Sequence, residues 1–196
     1  MIELSDLKVL IEDSLHYCES KLEQEPEIVL SEADFERLVC WALMEKLGHR
    51  DYSMPQKGDF TVHTQVSHYF DGIPRPLYKV DILLLTKEGM ENASTKKEFI
   101  YSQDSFALEL KYFRANDPLS RIKEIECDFC KRKYLDQNSW LYVVALVEEN
   151  NDIEYQSKWN LINTIGNEAE ANRNNLFHHI MRKKEVDWSK YSDSEQ

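Results

Sequence analysis

The chain reads as an α/β domain: a mixed β-sheet flanked by helices, with an extra helix at the N-terminus. Three observations predict this class. Two stretches near the start, 3–23 and 32–48, repeat apolar residues at helical spacing. Three later runs, 61–70, 78–86 and 105–113, carry the alternation and the β-branched or aromatic residues of strands. The run WLYVVALVE at 140–148 is apolar almost without interruption, the pattern of a strand covered on both faces.

The elements follow in order. Leu4, Leu7, Leu10, Ile11, Leu15 and Leu22 form the apolar stripe of a first helix, which Glu25-Pro26-Glu27 ends. Ser31 has the place of an N-cap, with Asp34 three residues on. The helix it opens buries Phe35, Leu38, Val39, Ala42, Leu43 and Leu47 and stops at Gly48. TVHTQVSHYF at 61–70 and YKVDILLLT at 78–86 form a hairpin across the turn residues DGIPRP at 71–76. Residues 87–104 are polar and read as a loop, ahead of a strand over 105–113. Asp117-Pro118-Leu119-Ser120 opens a helix predicted over 118–136, with Ile122, Ile125, Phe129 and Leu135 toward the core. After strand 140–148, two helices are predicted, over 155–165 and 167–184, and the tail SKYSDSEQ reads as frayed. Residues 1–196 form one domain: an acidic N-terminal helix (1–30), a core (31–147) and C-terminal helices (148–196).

Composition narrows the function. A hydrophobic content of 42% belongs to a globular chain. No apolar run is long enough to span a bilayer, and the acidic start lacks the features of a signal peptide, so a cytoplasmic location is expected. The net charge of −12 argues against indiscriminate binding to nucleic acid. That charge is uneven, because residues 1–36 hold eleven acidic residues against Lys8 and Lys21. The body is therefore close to neutral, with room for a local basic cleft, and the acidic segment offers a docking surface for a protein partner. Cys127-x-x-Cys130 has metal-ligand spacing but lies in a helical pattern with no second CxxC, so packed reduced thiols are expected there. His16, His49, His63, His68, His178 and His179 form no HExxH pattern, and no phosphate-cradling Gly-rich loop occurs.

The chemistry concentrates on two strands. Asp81 sits in YKVDILL, and Glu109-x-Lys111 sits in SFALELKYFR. Side chains alternate along a strand, so Glu109 and Lys111 share one face while Phe106, Leu108 and Leu110 take the other. An ionised Glu and a Lys on a buried sheet are costly unless a function needs them. Two carboxylates meeting on neighbouring strands make a hard oxygen site suited to Mg²⁺ or Mn²⁺, with a lysine beside it to position water or phosphate.

This order, a lone strand-borne Asp followed by a strand-borne Glu-x-Lys, resembles the PD-(D/E)XK nuclease superfamily over about residues 31–147. That superfamily includes restriction endonucleases, Holliday-junction resolvases and RecB-like exonucleases. The resemblance implies a restriction endonuclease-like core and hydrolysis of DNA phosphodiester bonds with Mg²⁺ or Mn²⁺, leaving RNA open as a substrate. Asp81 and Glu109 match the metal-binding carboxylates and Lys111 the family's lysine. Glu36, in FERLV, matches the acidic residue many members carry on the first core helix, as a metal or catalytic residue. Val80 stands where many members have proline before the Asp, and the CxxC is not the four-cysteine iron–sulfur pattern of some RecB-like members.

Further candidates line the same cleft. Gln65 and Lys79 come from the hairpin, and Lys79 shares the face of Asp81. Lys131-Arg132-Lys133, with Arg114 nearby in sequence, offers a phosphate-contacting patch. The competing reading is a binding or interaction module that keeps the fold without cleavage.

Overall fold

A computed structural model of the chain describes residues 4–48, 60–68, 78–86, 105–135, 139–149, 152–187 and 189. Helix α1 (Leu4–Gln24) leads through a 3-10 turn at Pro26–Ile28 into helix α2 (Glu32–Lys46). Strands β1 (Phe60–His68), β2 (Tyr78–Thr86) and β3 (Phe106–Phe113) follow. Next come helices α3 (Leu119–Ile122) and α4 (Ile125–Cys130), then a 3-10 turn at Lys131–Tyr134. Strand β4 (Trp140–Glu148), helix α5 (Asp152–Ala171) and strand β5 (Leu176–Lys183) complete the order. The predicted turn at 71–76 and loop at 87–104 lie outside the described residues.

The five strands form one mixed sheet in the order β1-β2-β3-β4-β5. β1, β2 and β3 are antiparallel neighbours, whereas β3, β4 and β5 run parallel. Antiparallel neighbours can join by a turn, while parallel ones need a crossover, and here α3 with α4 and then α5 supply the two crossovers. The sheet buries both faces. Ile82, Leu84, Phe106, Leu108, Leu110, Tyr142 and Val144 pack with α1 and α2. Leu83, Leu85, Ala107, Val143, Ala145 and Val147 pack with Ile122, Ile125, Phe129, Tyr155 and Ile162 from the crossover helices. Helix α1 is part of this core: Leu7, Ile11, Leu15 and Leu22 are fully buried. Each such side chain contributes about 1.5–3 kcal/mol, so its stripe binds the helix to the sheet.

Local signals explain the helix ends. The Ser31 hydroxyl accepts from the Asp34 N–H at 3.2 Å, and Gly48 closes the second helix with φ +71, a conformation that suits a residue without Cβ. The single helix predicted over 118–136 is instead three short pieces, α3, α4 and the 3-10 turn, although Ile122, Ile125, Phe129 and Leu135 are buried as expected. The two C-terminal helices are also corrected. One continuous helix covers Asp152–Ala171, and 176–183 is a strand. Pairing with β4 over eight residues outweighs the weak local preference of LFHHIMRK. As a result His178 and His179 point to opposite faces: His178 meets Glu170 and Asn163 of α5, and His179 meets Glu19 of α1.

Gly166 lets helix and strand approach closely. A Cβ there would lie 2.5 Å from the His178 ring, which Glu170 and Asn163 hold in place. Gly166→Ala is expected to lower stability by about 1–3 kcal/mol in urea unfolding, despite the better helix propensity of alanine. An unchanged midpoint would mean the ring swings aside freely.

A second polar group holds the ends of the parallel strands. Lys183, almost fully buried, donates to Glu148 and to the Tyr112 hydroxyl, and Glu148 also accepts from the Tyr112 hydroxyl and the Ala115 N–H. Burial raises the Glu148 pKa, but the bonds from Lys183, Ala115 and Tyr112 outweigh it and leave the carboxyl below its ordinary 4.5. A depressed folded pKa stabilises the fold above the unfolded value and loses that contribution as pH falls through the folded one. Glu148→Gln, which strands the Lys183 ammonium, should therefore cost about 3 kcal/mol at neutral pH. Denaturant melts should show the gap to the native chain closing below pH 4.5. A gap that stays constant with pH would contradict this assignment.

Candidate functional site

The charged residues gather where β2 and β3 part. Their ladder pairs Leu84 with Phe106, Leu83 with Ala107 and Ile82 with Leu108, and the pairing ends there. One step further the Asp81 carboxylate takes up the ladder's next donor: the Leu110 N–H gives its hydrogen to Asp81 Oδ2 at 2.8 Å. A side chain thus replaces a main-chain acceptor, and Asp81 sits in the opening between the two strands.

The neighbouring strand is bent to match. Gln65, with φ +55, is a left-handed residue inside β1, set between the pairs Thr64–Ile82 and Val66–Val80. Such a conformation costs of order 1–3 kcal/mol outside glycine and recurs where a site demands it. Val62 packs on the α1–α2 side and Val66 on the other, so the usual alternation reverses across Gln65. The reversal aims the Gln65 amide at two carboxylates: its Nε2 donates to Glu36 Oε2 and, at 3.4 Å, to Asp81 Oδ1. Glu36 reaches this point from α2. Burial lifts its pKa, and the charges of Asp81 and Glu32 add to that, against the Gln65 bond and Lys79.

Glu109 lies on the face of β3 that packs on α4, with none of its surface exposed. Its Oε2 accepts from Lys131 Nζ at 2.6 Å, while Oε1 is buried with no hydrogen-bond partner among the described residues. Burial drives the Glu109 pKa well above 4.5, and the charges of Asp81 and Asp128 push the same way. Lys131 remains an ammonium: burial works against it, but Glu109 and Asp128 prevail and raise its pKa. Lys111 points from the same strand face into a second acidic pair, 3.6 Å from Asp128 Oδ2 and 3.9 Å from Glu32 Oε1. Its burial is likewise outweighed by Asp128, Glu32 and Asp81, so it too stays charged.

Glu36, Gln65, Asp81, Glu109 and Lys111 therefore occupy one charged cluster, linked by hydrogen bonds or by direct charge coupling. Lys79 stands at its edge, side chain exposed, and its carbonyl accepts from Lys131 at 3.2 Å. The basic run does not form a single solvent patch. Lys131 turns inward to Glu109, and the buried Arg132 donates to the carbonyls of Asn174 and Leu135. Of the three, Lys133 is the exposed one. Arg114 lies beyond the end of β3, its guanidinium 3.5 Å from the Leu30 carbonyl. Cys18 and Cys40 are buried on the α1–α2 face, whereas Cys127 and Cys130 lie on α4 across the sheet, so the four thiols do not converge.

Two residues join the cluster that sequence reasoning left without a role there. Glu32 faces Lys111, and its Oε2 accepts from the Tyr112 N–H at 3.4 Å. Asp128, 4% exposed, pairs with Lys131 at 3.1 Å and has a buried Oδ2 without a hydrogen-bond partner among the described residues. Its spacing of three residues from Lys131 on one helical turn is the signal that marks the pair.

The donor set is one of hard oxygens, as a divalent magnesium-like ion requires. Among the described residues, Glu109 Oε1 has no hydrogen-bond partner and Asp81 Oδ1 has the long contact to Gln65, so each has capacity for a cation. Among the described residues, no three His, Cys, Asp or Glu side chains are grouped to hold a metal by themselves. Water and substrate oxygens would have to complete a shell, which is how Mg²⁺ is commonly bound. No helix among the described residues is long and apolar enough to cross a membrane. Comparison with known proteins returned no matching family model, no matching curated protein and no matching solved structure.

Proposed function

We propose that this chain is a metal-dependent nuclease of the PD-(D/E)XK kind, built on a restriction endonuclease-like core and hydrolysing DNA phosphodiester bonds. One observation carries the reading: Asp81 in the opening between β2 and β3, charge-coupled to a Glu109 whose Oε1 is buried without a hydrogen-bond partner among the described residues. A carboxylate oxygen left so is expensive in a fold that does not use it.

Asp81 and Glu109 would hold the ion, with Glu36 positioned through Gln65 to orient a ligand or a bound water. Mg²⁺ or Mn²⁺ bound there would supply an activated water and neutralise charge on the phosphate. The Leu110 N–H fixes the orientation of Asp81. Lys111 keeps its proton and offers it as a hydrogen-bond donor to a phosphate oxygen or to the attacking water. Lys133, Lys79 and Arg114, exposed and close in the chain to site residues, would meet a nucleic-acid backbone.

The test is cleavage of duplex, branched, single-stranded and RNA substrates with Mg²⁺ or Mn²⁺. Cutting that EDTA stops supports the reading. A second reading, an interaction module without cleavage, draws on Lys131, whose ammonium already neutralises Glu109. It predicts no cutting of any substrate, and capture of a partner through the acidic segment 1–36.

A further inference from the structure

Lys131 is placed as a cation is placed in an oxygen site. Its Nζ donates to Glu109 Oε2 at 2.6 Å, to Asp128 Oδ1 at 3.1 Å and to the Lys79 carbonyl at 3.2 Å. An ammonium has three N–H groups, and all three find an oxygen here. Two carboxylates and a carbonyl are also the ligands that a hard divalent ion takes. The other oxygens of both carboxylates, Glu109 Oε1 and Asp128 Oδ2, are buried and lack hydrogen-bond partners among the described residues. Each belongs to a residue more than nine-tenths buried. Lys131 therefore faces both carboxylates, Lys111 stands 3.6 Å from Asp128 Oδ2, and neither Glu109 Oε1 nor Asp128 Oδ2 accepts a hydrogen bond among the described residues.

We infer that Lys131 is an internal counter-cation whose ammonium occupies a divalent-ion position made by Glu109, Asp128 and the Lys79 carbonyl, and which a metal ion displaces on binding. The inference rests on the metal-site reading above and adds to it Asp128 as a ligand and Lys131 as the group that sets the affinity. The lysine comes from the 3-10 turn after α4, at the end of a long flexible stem, so it withdraws without moving β3. Withdrawal frees the oxygens as a set. Without metal, the ammonium prevents the two buried carboxylates from facing each other unneutralised.

The competition is measurable as binding. An ammonium docked in about 90% of molecules leaves about a tenth competent, so its removal tightens the apparent affinity about tenfold. Mn²⁺ titration of the full chain, followed by the loss of the free-ion paramagnetic resonance signal, compares the native protein with Lys131→Met. Lys131→Gln repeats the comparison while keeping hydrogen-bond donors for the oxygens. Both variants should bind Mn²⁺ about tenfold more tightly, and adding Asp128→Asn to either should remove the gain. Lys131→Met should also melt lower than the native chain without metal and regain more of its melting temperature with Mn²⁺. Native and Lys131 variants that bind Mn²⁺ equally, or variants that bind it more weakly, would overturn the inference and leave the Asp81–Glu109 site standing. If folded native and variant proteins alike take up no Mn²⁺ at millimolar concentration, the metal-site reading falls with it.

Discussion

Asp81→Asn and Glu109→Gln are each expected to reduce metal-dependent cleavage by about a thousandfold or more, which corresponds to roughly 4 kcal/mol of transition-state stabilisation. The two changes preserve shape. In Asp81→Asn the new amide oxygen would still accept from the Leu110 N–H, so the opening between β2 and β3 should persist. In Glu109→Gln the side chain would keep one acceptor for the Lys131 ammonium. Circular dichroism should therefore resemble the native protein while Mn²⁺ binding and cleavage are lost. Wild-type turnover in either purified variant would place the chemistry elsewhere in the chain.

Lys111→Ala separates turnover from metal binding. An ammonium cannot ligate a metal, so its loss should leave the metal affinity close to native. Turnover should fall about a hundred- to a thousandfold, the usual cost of deleting one preorganised donor at a developing charge. Loss of the cation that faces Asp128 and Glu32 also makes the pocket more negative, so any change in metal affinity should be toward tighter binding. Calorimetry in which Lys111→Ala loses metal as completely as Asp81→Asn would show that the lysine organises the site instead of acting on substrate.

These residues are legible in the sequence because their signal is local. Period-two alternation places Glu109 and Lys111 on one face of a strand and Phe106, Leu108 and Leu110 on the other, and the buried clusters follow that division. The hairpin, the capped second helix and the apolar β4 carry equally local signatures: a hydrophobic period, a serine cap, a glycine stop. The mixed sheet flanked by helices follows from them.

Where local preference is weak, tertiary contacts chose. LFHHIMRK has no clean period, and its strand state depends on eight residues of β4 lying alongside it. The break between α3 and α4 has no proline or glycine to announce it. Gln65 offers no sequence cue for a left-handed backbone, which occurs where its amide meets two carboxylates from other elements. The basic run 131–133 shows the limit most clearly. Three adjacent cations read alike in sequence, but one neutralises Glu109, one caps carbonyls in the core and one faces solvent. Charge type is written in the chain. Which oxygen a charge meets depends on how α4 seats against β3, and in a buried site that meeting decides whether a carboxylate pairs with a lysine or is left to take a metal.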